Sequence, residues 1–247
     1  MIKVGKSAKI LKIKPLYIGK LLELLKEYTE ITYGEIPLKQ EDLDLSLINN
    51  DTKLKTKITK RKEVNELGIE LTAEVEDYQL IESMGRRFIL KPTEKVIFFI
   101  YTADPIGGYS AIFEKGRYLK YLITSLNKLL NPDGDWFREI TFNLHENEEK
   151  IRNEFGNFRR FYTRNMDHEL VKNATLGGVN LEDSSDYRRY IEDYGGYLSA
   201  LIINYRGIDI MITSKGRIWS PNREFESQKY QIIKDILEKL ENAGIMR

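Results

Sequence analysis

Cysteine is absent from the 247 residues. That excludes a disulfide framework, thiolate-held zinc, iron–sulfur centres and a cysteine nucleophile. Long apolar runs are also missing. A stretch such as Val96-Ile97-Phe98-Phe99-Ile100-Tyr101 falls far short of the roughly 20 residues that cross a bilayer. The first twenty residues are punctuated by lysine and lack the apolar stretch of about 7–15 residues that a signal peptide needs. A soluble, cytoplasmic protein with no membrane partner is expected. An excess of one charge is lacking too: 39 Lys+Arg face 38 Asp+Glu, a formal net charge of +1. Long-range steering of an anionic partner is therefore weak, and any such binding rests on a local patch.

What is present is a globular composition, 41% hydrophobic and 11% aromatic, enough for one large core or two modest ones. Charge is distributed in blocks. Residues 1–26 hold seven Lys and one Glu, and residues 27–51 hold seven acids and one Lys. Abundant charge and few Gln suit a hot-living host, whereas fifteen Asn argue against one.

The reaction motifs do not assemble. Gly5-Lys6-Ser7 ends like a P-loop, but only four residues precede Gly5, too few for the motif's first glycine. The pairs Gly107-Gly108, Gly177-Gly178 and Gly195-Gly196 are isolated and read as turns or bulges. His145 and His168 each stand beside acids without a second histidine at the i, i+4 spacing of a zinc helix. Asp133, Asp135, Asp183 and Asp186 are the carboxylates a Mg²⁺ site would draw on, yet acids of this kind are common in turns. Neither a metal nor a cofactor is expected, and a non-catalytic role is favoured.

Periodicity supplies the architecture. Ile18, Leu21, Leu22, Leu25 and Tyr28 recur at helical spacing after Pro15. Leu119, Leu122, Ile123, Leu126, Leu129 and Leu130 mark a second helix, stopped by Asn131-Pro132-Asp133-Gly134. Ile151, Phe155, Phe158 and Tyr162 mark a third, and Phe225, Ile232, Ile233, Ile236, Leu237 and Leu240 a fourth, which Gly244 ends. Elsewhere the period is two. Leu54, Thr56 and Ile58 alternate with lysines, and Ile69, Leu71, Ala73 and Val75 alternate with Glu or Thr. Residues 86–91 and 95–101 continue the strands, as does the alternation Ile140, Phe142, Leu144. Residues 197–205, 207–213 and 216–220 read as a meander turning at Arg206-Gly207 and Lys215-Gly216.

The order is α+β: two β-α-β(n)-α units, residues 1–132 and 133–247, packed together with a boundary at Asn131–Trp136. It is similar to the order of the TATA-binding-protein fold, in which two repeats make a curved antiparallel sheet backed by helices. The resemblance concerns element order alone and carries over no functional residue. The alternative is a single antiparallel sheet wrapped around a long helix, enclosing a ligand cavity.

Basic and aromatic residues then define candidate surfaces. Phe158-Arg159-Arg160-Phe161-Tyr162 and Tyr187-Arg188-Arg189-Tyr190-Ile191 both set two arginines between aromatics, with Gly85-Arg86-Arg87-Phe88 a weaker echo. Arginine grips phosphate and stacks on bases, and aromatic rings add stacking surface. If Phe158 and Tyr162 continue the third helical stripe, Arg159 and Arg160 form an ordinary solvated face. Lys60, Arg61 and Lys62 follow the lysine-rich strand as its tip, while Lys53, Lys55 and Lys57 face Glu70, Glu74 and Glu76 if the two strands pair. Tyr187, Tyr190, Tyr194 and Tyr197, spaced 3, 4 and 3, form a stripe capped at its start by Ser184 or Ser185, suited to an interface that stays partly wet. The leading expectation is a non-catalytic nucleic-acid-associated protein that binds through Lys60, Arg61, Lys62, Arg159, Arg160, Arg188 and Arg189. Two others stand beside it: an assembly or adaptor module that uses the tyrosine stripe on another protein or a second copy, and a ligand binder or enzyme with a pocket in the sheet.

Overall fold

In the computed structural model, residues 7–36, 52–83, 86–113, 118–130, 134, 136–168, 170–178 and 181–247 are described. The proposed boundary at Asn131–Trp136 falls mostly outside them, as do Asp133, Asp135, Gly85, Gly5 and Lys6, and the side chains of Arg86, Arg87 and Phe88 are likewise not described.

The first half runs β1 (Ser7–Ile13), a 3-10 turn (Pro15–Tyr17), α1 (Ile18–Leu24), β2 (Glu30–Glu35), β3 (Lys53–Val64) and β4 (Gly68–Glu76). A small hairpin, β5 (Gln79–Ser83) and β6 (Arg86–Leu90), then leads to β7 (Thr93–Tyr101), β8 (Tyr109–Phe113) and α2 (Leu119–Leu130). The second half begins with β9 (Phe137–Glu139), α3 (Glu148–Phe155), β10 (Arg160–Arg164) and β11 (Ala174–Gly177). It continues through α4 (Ser185–Arg188), a π-helical turn (Arg189–Asp193), β12 (Tyr197–Tyr205), β13 (Ile208–Thr213), β14 (Arg217–Trp219) and α5 (Arg223–Asn242).

The result is α+β, with one large antiparallel sheet of twelve strands in the order β11-β10-β12-β13-β14-β1-β8-β7-β4-β3-β2. The twelfth, β9, pairs with the end of β1. On one edge of β1, Ser7, Ala8 and Lys9 pair with β14 and Leu11, Lys12 and Ile13 pair with β9, while β8 runs along the other edge. The first strand thus joins both halves into a continuous sheet.

Helices cover the two halves on opposite faces. Alternate residues of β1 separate the layers: Ala8 and Ile10 enter one buried cluster, Leu11 and Ile13 the other. In the first cluster α5 lays Phe225, Ile232, Ile233, Ile236, Leu237 and Leu240 on inward residues of β7, β8 and β12–β14. Asn222 caps this helix by accepting from the Glu224 amide at 3.0 Å. Tyr230 stacks on Phe99 at 4.1 Å and donates its hydroxyl proton to the Glu70 carboxylate. At the far end, Tyr109 donates to Glu241 at 2.9 Å and receives a hydrogen bond from Lys12 at 3.0 Å. That bond holds the Lys12 ammonium above the usual lysine range, and burial raises the Tyr109 phenol.

On the opposite face α2 buries Leu119, Leu122, Leu126 and Leu130 against β3, β4, β7 and β8. Thr56 and Ser125 exchange a hydroxyl hydrogen bond of 2.6 Å across this interface, and Ser125 also donates to the Tyr121 carbonyl at 2.8 Å. Ser110, one residue beyond Tyr109, is fully buried and its hydroxyl finds no partner among the described residues. Ser110→Ala is expected to raise stability by about 1 kcal/mol, because an unpaired buried hydroxyl opposes folding. Urea unfolding should show a higher midpoint with an unchanged slope.

Two helical expectations are corrected. Tyr28 was placed on the stripe of α1, but that helix stops at Leu24, and Tyr28 lies beyond it with φ 65° and an exposed ring. The third stripe ends at Phe155. Gly156 at φ 79° leaves the helix there, and residues 160–164 form a strand with Phe161 and Thr163 buried. The meander and its Arg206-Gly207 turn are found as expected, Tyr205 pairing with Ile208 across it.

Candidate functional site

Beyond β1 the α2 layer ends. Its buried cluster contains no residue from 160–219, so the α2 side of β10, β12, β13 and β14 carries no packed helix layer among the described residues. Period-two alternation decides what faces outward there. Phe161, Leu201, Ile210, Ile212 and Ile218 go into the α5 core, which leaves Arg160, Tyr162, Arg164, Asp209, Met211, Thr213, Arg217 and Trp219 on the other side. Register brings these together in rows. Thr175, Tyr162, Ala200, Thr213, Arg217 and Lys9 lie side by side across the sheet, and Gly177, Arg160, Ile202, Met211 and Trp219 form the next row.

A cleft of about 670 Å³ opens on this face. Its cations are Arg164, Lys215 and Arg217. Its polar neutral groups are Tyr162, Thr163, Asn173, Thr175, Ser199, Thr213 and Ser214, and no carboxylate lines it among the described residues. A second cleft of about 330 Å³ adjoins it and shares Lys215 and Arg217, reaching Lys9, Glu139, Thr141 and Leu119 at the start of α2. Together they form one groove running across the strands. Glu139 brings the only acid among the described residues, and it sits 2.9 Å from the Lys9 ammonium.

Lys9 builds the groove wall. It is 4% exposed, and its ammonium donates to the carbonyls of Lys215 and Ile140 besides pairing with Glu139. The turn it holds is fixed further by Gly216 NH to Thr213 O at 3.0 Å, Ile10 NH to Gly216 O at 2.9 Å and Phe142 NH to Ser214 O at 3.0 Å. At Gly216, φ is 69° and a Cβ would lie 1.9 Å from the Ile140 carbonyl oxygen, so no larger residue fits. Lys215 and Arg217 flank this glycine and inherit its fixed position.

The residues singled out from sequence lie in four places. Arg160 is exposed on the open face, over Gly177. Arg159 lines a smaller cleft of about 410 Å³ with Asn204, Asp209 and Asn222 at the other end of the same strands. Lys60, Arg61 and Lys62 lie within β3, not at its tip, because the hairpin turns later, at Asn65. Lys62 stands opposite Glu70 and Lys60 opposite Thr72, on the α5 side of the other half, while the Arg61 guanidinium donates to the carbonyls of Leu22 and Leu25 at 2.7 and 3.3 Å, closing the end of α1. The lysine strand pairs with the glutamate strand, Lys57 opposite Glu74, and Glu74 is also ion-paired to Lys95 at 3.3 Å.

Arg188 and Arg189 are exposed on the layer formed by α4 and the π-helical turn. That layer belongs to the α5 side, because Tyr187 packs edge-on against Phe161 at 4.6 Å and donates to the Glu148 carboxylate. Tyr187 is therefore core, and the tyrosine stripe keeps on the surface the partly exposed Tyr190 and Tyr194, 6.1 Å apart, and the exposed Tyr197 at the start of β12. Ser184 does cap the segment, accepting from the Tyr187 amide at 3.1 Å. Each histidine accepts backbone amides at Nδ1: His145 from Leu198, His168 from Leu170 and Val171. Among the described residues no group of three or more His, Asp or Glu is placed to hold a metal.

Fold and site together describe an α+β protein whose one large antiparallel sheet carries the α5 layer over β7, β8 and β12–β14 on one face and the α2 layer over β3, β4, β7 and β8 on the other, with no helix layer among the described residues on the α2 side of β10 and β12–β14. No protein-family model and no curated protein sequence matches the chain. The groove's main cations, Arg164, Lys215 and Arg217, were not among the sequence candidates. The signal that points to Arg164 is the i, i+2, i+4 spacing of Arg160, Tyr162 and Arg164 on a strand, whereas Lys215 and Arg217 carry no such signal.

Proposed function

We propose that the open face of β10–β14 binds nucleic acid without catalysis, holding phosphates on Arg160, Arg164, Lys215 and Arg217 and bases against Tyr162, Met211 and Trp219. The observation that carries this reading is the main cleft's lining, three cations among neutral polar groups with no carboxylate among the described residues. In a chain of net charge +1 such local segregation of sign favours an anionic ligand. Continuity of the two clefts through Lys215 and Arg217 favours a polymer over a compact monoanion. Of the residues proposed from sequence, Arg160 lies on this surface and Arg159 at its far end, while Lys60, Lys62, Arg188 and Arg189 lie on the α5 side. The two β-α-β(n)-α halves then divide the work. The first contributes β1, with Lys9, and the α2 edge of the groove, and the second contributes the binding strands.

The test is fluorescence anisotropy of a labelled oligonucleotide at two salt concentrations. Four phosphate contacts predict a slope near −2.8 on a log–log plot, hence about a 50-fold loss of affinity between 50 and 200 mM salt. Absence of binding at 50 mM salt would refute the proposal. No helix among the described residues is long and apolar enough to cross a membrane.

A further inference from the structure

Resting on that reading, we infer that the ligand is single-stranded and lies across the β-strands, perpendicular to them, with a footprint of about four nucleotides. Three observations carry this. First, the groove's long axis is set by its shared cations: it leads from Arg164 on β10 over Arg217 on β14 to Lys9 on β1, across β12 and β13. Four interstrand steps at about 4.8 Å each give roughly 19 Å. That length suits the short end of the 4–16-nucleotide sites found on single-strand binding surfaces.

Second, the apolar surfaces sit between the cations. Tyr162 shares a row with Arg217, and Met211 and Trp219 share the next row with Arg160. All three are partly exposed on this face. Tyr162 and Trp219 offer ring surface and Met211 a thioether, and a single strand can turn base faces toward them. A duplex keeps its base faces stacked inside and shows only edges in its grooves.

Third, the groove is walled. The Asn173–Thr175 segment bounds one end and Glu139, ion-paired to Lys9, bounds the other. A flexible strand fits between these walls and puts successive phosphates on both sides of the ring positions. A rigid duplex presents one continuous backbone and reaches one row of cations at a time.

Anisotropy at 50 mM salt with four labelled probes tests this: a single-stranded octamer, its duplex, an abasic octamer of the same charge, and a polyaspartate peptide. The octamer should bind at least about 10-fold tighter than the duplex, the abasic strand or the peptide, and shortening it should cost affinity only below about four nucleotides. Tyr162→Ala should weaken the octamer about 10-fold and leave its salt slope unchanged, since no phosphate contact is removed. The abasic probe makes the test independent of whether that variant folds. Equal binding of duplex and single strand, or of abasic and normal strands, would overturn this inference and leave a phosphate-binding face. Tightest binding of the polyaspartate would overturn the inference and point to an acidic protein segment as occupant. Failure of every probe to bind would overturn both the inference and the reading beneath it.

Discussion

Reversing two charges in the groove, Arg164→Glu with Arg217→Glu, is expected to lower the affinity for a single-stranded octamer at 50 mM salt by about 100-fold and to make the salt slope shallower by roughly 1.4. Both residues line the main cleft, one on β10 and one on β14, and no carboxylate among the described residues lines it with them. Their removal therefore subtracts two phosphate contacts, and the new glutamates repel the backbone. Arg164 is exposed and Arg217 half-exposed, so the fold should survive, with a urea midpoint near that of the parent. The matched control is Arg188→Glu with Arg189→Glu. These arginines carry the same formal charge and are both exposed, but they sit on the α4 layer beside Tyr187. The control should change affinity less than about threefold, by long-range charge alone. Equal losses in the two double variants would show that affinity follows net charge and not the open face.

Lys9→Met is expected to act on stability and binding together. The lysine is buried, and its ammonium is the donor to two backbone carbonyls, those of Lys215 and Ile140. Methionine fills similar space without a donor, so both acceptors lose a charge-assisted bond, at a cost of about 2–3 kcal/mol in total. Glu139 is largely exposed and returns to water at little penalty, which keeps the cost below that of breaking a fully buried ion pair. The tether it removes is the one that fixes the turn between Thr213 and Gly216, so Lys215 and Arg217 lose their common position. Affinity for the octamer should fall about 5-fold in the folded fraction, and amide exchange should quicken at the turn and leave the β12–β13 pairing protected. Unchanged exchange at the turn would show that the neighbouring backbone bonds hold it without the lysine.

Much of the scaffold is legible in the letters because burial on one face writes a period. Leu119 to Leu130 and Phe225 to Leu240 each keep a 3.6-residue stripe against one sheet face, and both helices appear where that stripe lies. The alternation of Ile69, Leu71, Ala73 and Val75 likewise survives as buried residues of β4. The third helix shows how periodicity misleads. Ile151, Phe155, Phe158 and Tyr162 satisfy helical spacing, yet Gly156 interrupts them, and beyond it a period of two starts with Arg160. Reading Phe158 and Tyr162 as helical hid the open face, because the arginines then belonged to a solvated helix side instead of a sheet.

What no single sequence could show is the placement of layers. That α2 and α5 lie on opposite faces is set by which residues of β1 meet which helix, a tertiary choice made over more than a hundred residues of separation. The groove follows from it. Lys215 and Arg217 look like ordinary turn residues until Lys9, some two hundred positions earlier, is found holding their turn. Arg61 is the converse case: in sequence it belongs to a cationic triplet, and in the fold its guanidinium is occupied by the last carbonyls of α1.

Trp219 offers the most direct measurement. The chain has two tryptophans, and Trp136 packs with the α2 cluster, its ring 4.0 Å from that of Tyr17, and lines neither cleft of the groove. Trp136→Phe leaves Trp219 as the single reporter, on the row shared with Arg160 and Met211. Titrating that variant with an unlabelled single-stranded octamer should quench the emission by stacking, with a midpoint equal to that found by anisotropy. Quenching should vanish together with binding in the Arg164→Glu, Arg217→Glu background. Binding seen by anisotropy with the Trp219 emission unchanged would contradict the assignment of this face and place the nucleic acid elsewhere on the molecule.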